Sequence, residues 1–197
     1  MSTPAKRRKS VRTANPRPEF PPDGKSASFA EALFLFIVYR LRNPLFNIAL
    51  IEPEIPPNTG NIARLCLATG SRLHLVKPLG FSVDDRNLHR AGMDYWNQID
   101  IRYWENLSEF ASATDSPTRR FLFTTKSERP YWDEQFQNDD YFVFGRETRG
   151  LPESFLRLNA EYCLTIPMAR NARSLNLATA VAIVLFEGVR QLRHHAT

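Results

Sequence analysis

From Phe46 onward, short and almost wholly apolar runs alternate with segments of helical period, and this alternation most narrows the folds open to the chain. Residues 121–125 and 141–144 are continuous apolar strands rather than the every-other-residue pattern of a half-exposed strand, and 46–51 and 73–76 are apolar but for Asn47 and His74. Such runs suit strands buried on both faces, joined by helical crossovers. Further strands are expected at 99–104 and 164–166, with helices at 56–69, 84–91, 108–113 and a long one at 175–192. The predicted fold class is α/β, a mainly parallel sheet with helices on both faces. Residues 46–197 form that domain, and residues 1–45 form a basic, largely disordered extension containing a short apolar segment.

Composition removes several function classes. Two cysteines, Cys66 and Cys163, cannot make a disulfide framework or a zinc site, and they read as small core residues of a reducing compartment. No apolar run reaches the roughly 20 residues of a membrane-spanning helix. The net charge of +5 suggests nucleic acid, but residues 1–45 hold nine of the 26 basic residues against three acids. The remainder is almost neutral, so any RNA contact there must use a local patch.

The extension admits three readings: an organellar transit peptide, an arm adding nonspecific affinity for RNA, or a solvated leader. Arg40-Leu41-Arg42 stands where a secretory signal would need small residues for cleavage. A cytoplasmic location is expected, or an organelle if residues 1–45 direct import.

Ligands of open parallel sheets gather beyond the carboxyl ends of the strands, and three loops expected there are unusual. The first is Pro56-Pro-Asn-Thr-Gly-Asn-Ile-Ala-Arg64, in which Asn58 or Thr59 is the expected helix N-cap. Asn61 and Arg64, three apart, share a helix face. The second is Gly145-Arg-Glu-Thr-Arg-Gly-Leu-Pro152, where two glycines able to take positive φ bracket Arg146, Glu147 and Arg149 and Pro152 starts a helix. The third is Ile166-Pro-Met-Ala-Arg-Asn-Ala-Arg-Ser-Leu-Asn-Leu177, with Ser174 as the expected N-cap and Asn176 in the first turn of the last helix. Singly, each also reads as an ordinary capped or charged loop. Neither Gly-x-Gly-x-x-Gly nor a phosphate-binding Gly-Lys-Ser/Thr is present.

The last helix is apolar nearly all round from Leu177 to Phe186, which suggests that a partner subunit covers one side, with Ala178 and Ala182 allowing close approach. His74, His89, His194 and His195 lack metal or nucleophile spacing, and Trp96, Trp104 and Trp132 read first as packing residues.

In this order and spacing the three loops resemble motifs one, two and three of the SPOUT RNA methyltransferases, over residues 46–194. Glu52-Pro-Glu-Ile-Pro-Pro57, Pro78-Leu-Gly-Phe-Ser-Val-Asp-Asp85 and Arg90-Ala-Gly-Met-Asp-Tyr95 are similar to its small tRNA wobble-nucleotide 2′-O-methyltransferases. The resemblance implies a C-terminal deep trefoil knot and a homodimer through the motif-one and C-terminal helices. It implies S-adenosyl-L-methionine as cofactor without a metal, tRNA as partner and no membrane. It places the cofactor against Phe123, Thr124, Thr125, Gly145, Glu147, Gly150, Ile166, Met168, Ser174 and Leu175. The implied catalytic set is Asn58, Arg64, Glu147, Ser174 and Asn176. An arginine stays protonated in proteins, so Arg64 is expected to bind phosphate or lower the hydroxyl pKa rather than act as a base. The sequence departs from relatives at Arg146, where proline is frequent, and at Phe186, where tyrosine is. The alternatives are the same chemistry on another tRNA position or on rRNA, a SPOUT RNA-binding protein without catalysis, and a nucleotide-binding α/β protein.

Overall fold

A computed structural model describes residues 45–82, 96–115 and 119–194. Six strands, β1 (Asn47–Ile51), β2 (Arg72–Val76), β3 (Ile101–Trp104), β4 (Arg120–Phe123), β5 (Tyr141–Phe144) and β6 (Cys163–Leu164), form one sheet in the order β3-β2-β1-β5-β4-β6. Every pairing is parallel. The helices are α1 (Pro56–Thr69), α2 (Leu107–Ala113), α3 (Glu153–Leu158) and α4 (Leu177–His194).

The strands are buried on both faces, as their continuous apolar runs require, and the period of two divides the side chains between two cores. Ile48, Leu50, Leu73, Leu75, Phe142 and Phe144 face α1 and α4, where they meet Ile62, Cys66, Val181 and Leu185. Ala49, Ile51, Val76, Leu122 and Val143 face α2 and α3, where they meet Phe110, Phe155 and Leu156. The expected three-layer architecture is therefore present, and both cysteines are buried in it. Truncating one of these large side chains to alanine costs about 2–5 kcal/mol. Gly188 brings α4 directly onto the sheet, because a Cβ there would lie 2.7 Å from the Phe46 ring.

Some boundaries differ from expectation. The segment before β3 turns through a 3-10 helix, Trp96–Gln98, before extending at Ile101. β6 stops at Leu164, and Thr165 instead makes an isolated bridge to Pro130. Helix α4 begins at Leu177, two residues later than expected, and within one chain it is not covered all round: Phe186 is 51% exposed. The expected helix at 84–91 and residues 1–44 of the extension lie outside the described residues.

His74 has the structural role its spacing suggested. Trp104 Nε1 donates to its Nδ1 at 3.0 Å, so the ring proton sits on Nε2, 3.1 Å from Asn47 Oδ1. Asn47 Nδ2 in turn donates to the backbone and carboxylate oxygens of Asp139 at 2.9 and 2.8 Å. Burial, reinforced by Arg72 and Arg102, lowers the His74 pKa to about 3, so the imidazole is neutral.

Chain order places a crevice within this frame. From β1 the chain runs outward through β2 to β3, then returns to build β4 and β5 on the other side of β1. The sheet thus changes direction between β1 and β5, where ligands of doubly wound sheets collect.

Candidate active site

The loops leaving β1 and β5 are stapled together by three consecutive residues. Arg146 forms an ion pair with Glu52, itself in the left-handed region at φ 52°. Glu147 accepts from the backbone nitrogens of Glu54 at 2.8 Å and Ile55 at 3.2 Å, and from Asn58 Nδ2 at 3.0 Å. Thr148 donates from its nitrogen at 3.2 Å and its hydroxyl at 2.8 Å to the Glu54 carboxylate.

This staple corrects the expected cap of α1. The helix starts at Pro56 with Ile55 in the cap position and no side-chain cap, and two prolines preset its entry. Thr59 is fully buried and its hydroxyl has no hydrogen-bond partner among the described residues. The negative charge favoured at a helix start comes from Glu147, 89 residues away from Asn58 in sequence.

Asn58 is free for another task. Its Oδ1 accepts from Asn176 Nδ2 at 2.8 Å while its Nδ2 serves Glu147. Asn176 Oδ1 accepts from Ala178 N at 2.9 Å and Thr179 N at 3.3 Å. Asn176, not Ser174, is therefore the cap of α4, and the helix begins one residue after it. Both amide orientations follow from the donors and acceptors around them. The chain Glu147–Asn58–Asn176 ties all three loops to two helix starts.

The glycines of the second loop act differently from each other. Gly150 takes the expected positive φ, 68°, and its nitrogen donates to the Arg146 carbonyl at 2.9 Å. Gly145 is required because a Cβ would collide with Gly150 and Leu151, so the close approach is of the chain to itself. Pro152 occupies the cap position of α3, one residue before the helix.

A cleft of about 540 Å3 opens between these loops at the carboxyl ends of the strands. It is lined by Phe123, Thr124, Thr125, Gly145, Glu147, Gly150, Ile166, Met168, Ser174 and Leu175, every residue expected to hold a cofactor. Asn58 and Asn176 also line it. Arg64 does not: it is exposed on α1, almost two turns beyond Asn58. Phe144, Arg149, Thr165, Arg173, Leu177 and Ala180 were not among the expected site residues, yet they share the lining. Their signal was positional, since all but Ala180 lie within or next to a motif. Phe123 and Phe144 stack with centroids 4.8 Å apart at the ends of β4 and β5, giving the cleft an aromatic floor.

Among the described residues no group of three or more His, Cys, Asp or Glu side chains could hold a metal ion. None of the described helices is long and apolar enough to cross a membrane. Apolar walls with a few fixed polar groups suit a small amphipathic ligand.

The sequence pattern of the SpoU rRNA Methylase family matches residues 45–186. A protein of Burkholderia cenocepacia named tRNA (cytidine(34)-2′-O)-methyltransferase is 48% identical over 149 residues, covering 75% of this chain and 96% of that protein. A solved structure described as giving insights into the 2-OH methylation of C/U34 on tRNA is 42% identical with a TM-score of 0.70, covering 76% of this chain and 97% of the other. An AdoMet-bound rRNA methyltransferase from Sinorhizobium meliloti is 27% identical with a TM-score of 0.67, covering 76% of this chain and 57% of that one.

Proposed function

The chain belongs to the SpoU methylase family, and from that membership we propose that it methylates the ribose 2′-oxygen of the wobble nucleotide of tRNA, cytidine or uridine 34, using S-adenosylmethionine. The observation that carries this reading is the convergence of three distant loops on one cleft through the Glu147–Asn58–Asn176 chain.

The cleft fits the cofactor by size and by chemistry, with apolar walls at Phe123, Ile166, Met168 and Leu175 and polar residues at Thr124, Thr125 and Ser174. When bound, S-adenosylmethionine supplies an electrophilic methyl group. The protein's task is to orient a ribose hydroxyl and accommodate its proton. Ser174 lines the cleft and is exposed, so its hydroxyl can hydrogen-bond the incoming ribose. Glu147 already accepts two backbone N–H groups and an amide, so it acts as a positioning residue rather than as a proton acceptor. Holding the reacting atoms near contact distance can supply about 7–11 kcal/mol of the barrier.

Arg64 acts across a seam between two copies. Exposed Ile55 and Leu67 on and beside α1, and Phe186 on α4, give those helices an uncovered apolar surface, which supports a homodimer through them. Arg64 then stands at the seam and binds the tRNA phosphate or lowers the pKa of the target hydroxyl. Membership of the family supports a C-terminal trefoil knot that includes residues 166–176, and the protein works in the cytoplasm or, if residues 1–45 direct import, in an organelle.

Incubation with S-adenosylmethionine and bulk tRNA from cells lacking the activity, followed by nuclease digestion and mass spectrometry, tests the reading. A 2′-O-methyl group on nucleotide 34 is expected. Methyl transfer to rRNA alone, or cofactor binding without transfer to any RNA, would contradict it.

A further inference from the structure

The cleft's mouth concentrates arginines that no acid among the described residues pairs with. Most described cations are ion-paired: Arg72 with Asp100, Arg119 with Asp140, Arg120 with Asp115, Arg129 with Glu134, Arg146 with Glu52 and Arg190 with Glu187. Lys77, Lys126 and Arg157 are paired as well. Among the described residues, Arg149, Arg170 and Arg173 have no ion pair or hydrogen bond from their side chains, a state that Arg102 on β3 shares. Arg149 and Arg173 line the cleft from two different loops, and Arg170 lies in the turn three residues before Arg173, where Ala172 N donates to Ala169 O. All three are exposed.

The local acids make no ion pair with them, each being held by another group. Glu52 is paired with Arg146, Glu54 is engaged by Thr148, and Glu147 by Asn58 and two backbone groups. The segment 166–176 contains two arginines and no acid. An almost neutral body thus carries a local cationic rim, the patch that recognition of RNA by this domain requires. An arginine already in an ion pair must lose that partner before it can bind phosphate; these three need not.

We propose that Arg149, Arg170 and Arg173 form a rim that binds the phosphodiester backbone flanking the target nucleotide, so that the second and third loops hold the RNA as well as the cofactor. The proposal rests on the RNA methylation reading above and extends it by naming the groups that hold the substrate. Phosphate contacts position a strand without reading its sequence, so the rim supplies affinity and register rather than choice of base.

The test measures binding of a fluorescent anticodon stem-loop by anisotropy across a salt series, with S-adenosylmethionine affinity measured separately. The variants are R170Q/R173Q, R149Q and the charge-preserving R170K/R173K. For R170Q/R173Q the account expects roughly tenfold weaker RNA binding near 0.15 M salt. The salt slope should shrink by about 0.7 for each phosphate that is no longer neutralised. Cofactor affinity should fall far less than RNA affinity, and R170K/R173K should recover most of the RNA binding, since charge alone suffices. Unchanged RNA affinity and slope in R170Q/R173Q and R149Q would overturn the proposal. So would weakened cofactor binding with unchanged RNA binding, which would assign the arginines to the cofactor's carboxylate. A wild-type protein that binds RNA with the expected slope yet methylates nothing would sink the proposed function while leaving the rim standing.

Discussion

The two sides of the cleft are built on different terms. On one side the loops after β1 and β5 are joined rung by rung through Arg146–Glu52, Glu147–Glu54/Ile55/Asn58 and Thr148–Glu54, so these groups are engaged within the protein and Arg149 alone of the second loop's charges is left open. On the other, the segment 166–176 is anchored at its ends. Thr165 N donates to Arg129 O at 2.8 Å, and Asn176 caps α4, while most residues between are exposed. The stapled side fixes the geometry of the reacting centre, and the lightly bonded side leaves polar groups available to ligands. Preorganisation is thereby concentrated in the stapled pair of loops and recognition in the segment 166–176 with Arg149 beside it, and the two sides meet at Asn58 and Asn176.

Substitutions on the stapled side should damage folding and chemistry together. Glu147→Ala removes the charge at the start of α1 and leaves two backbone N–H groups and the Asn58 amide unpaired, so about 2–4 kcal/mol of stability should be lost. Denaturant unfolding would show this, and methyl transfer should fall at least about a hundredfold. A variant of unchanged stability would break the comparison at its strongest point.

Acid provides a control that acts beneath both loops. His74 is held neutral with its pKa lowered to about 3, whereas the unfolded chain protonates it near 6.5. Below 6.5 the unfolded state therefore binds the extra proton, and stability should fall by up to about 1.4 kcal/mol per pH unit until the pH approaches 3. Replacing His74 with Gln should flatten that part of the profile; an unaltered slope would contradict the neutral-histidine assignment.

The junction should respond less. Asn176→Ala removes the α4 cap and one partner of Asn58, costing about 0.5–2 kcal/mol in thermal or denaturant unfolding. Weaker still is Glu52→Gln, which breaks a partly exposed ion pair and should cost under about 1 kcal/mol. It should nevertheless weaken cofactor binding a few-fold in calorimetry, because Arg146 lines the cleft. On the open side, Arg173→Gln should stay within about 0.5 kcal/mol of wild type in stability. A larger loss there would mean that the segment is a structural support after all.

What the sequence disclosed follows the range of the interactions involved. The strands were visible because burial on both faces forces continuous apolar runs such as Tyr141–Phe144, and the cleft lining was visible because the motifs adjoin those strands. The cap of α1 was misplaced because the group that serves it is not local. Asn58 looks like a cap when only its neighbours are considered, but Glu147 supplies the charge from the far side of the sheet switch, and this releases Asn58 to bond Asn176. Ser174 looked like a cap because the last helix was expected to start at Leu175; it starts two residues later, and Asn176 bonds its first free nitrogens. Gly145 was recognisable as necessary but not for its actual cause, the packing of the loop against its own return at Gly150. Arg64 sits in the first motif by spacing, yet the helix carries it off the lining of its own chain's cleft.

The most direct measurement compares two synthetic anticodon stem-loops that differ only at nucleotide 34, one carrying ribose and the other 2′-deoxyribose. Each is incubated with the protein and radiolabelled S-adenosylmethionine. The account predicts transfer to the ribose form and none to the deoxy form, with both bound equally at the arginine rim. Equal transfer to both would place the methyl elsewhere on the RNA and contradict the central claim.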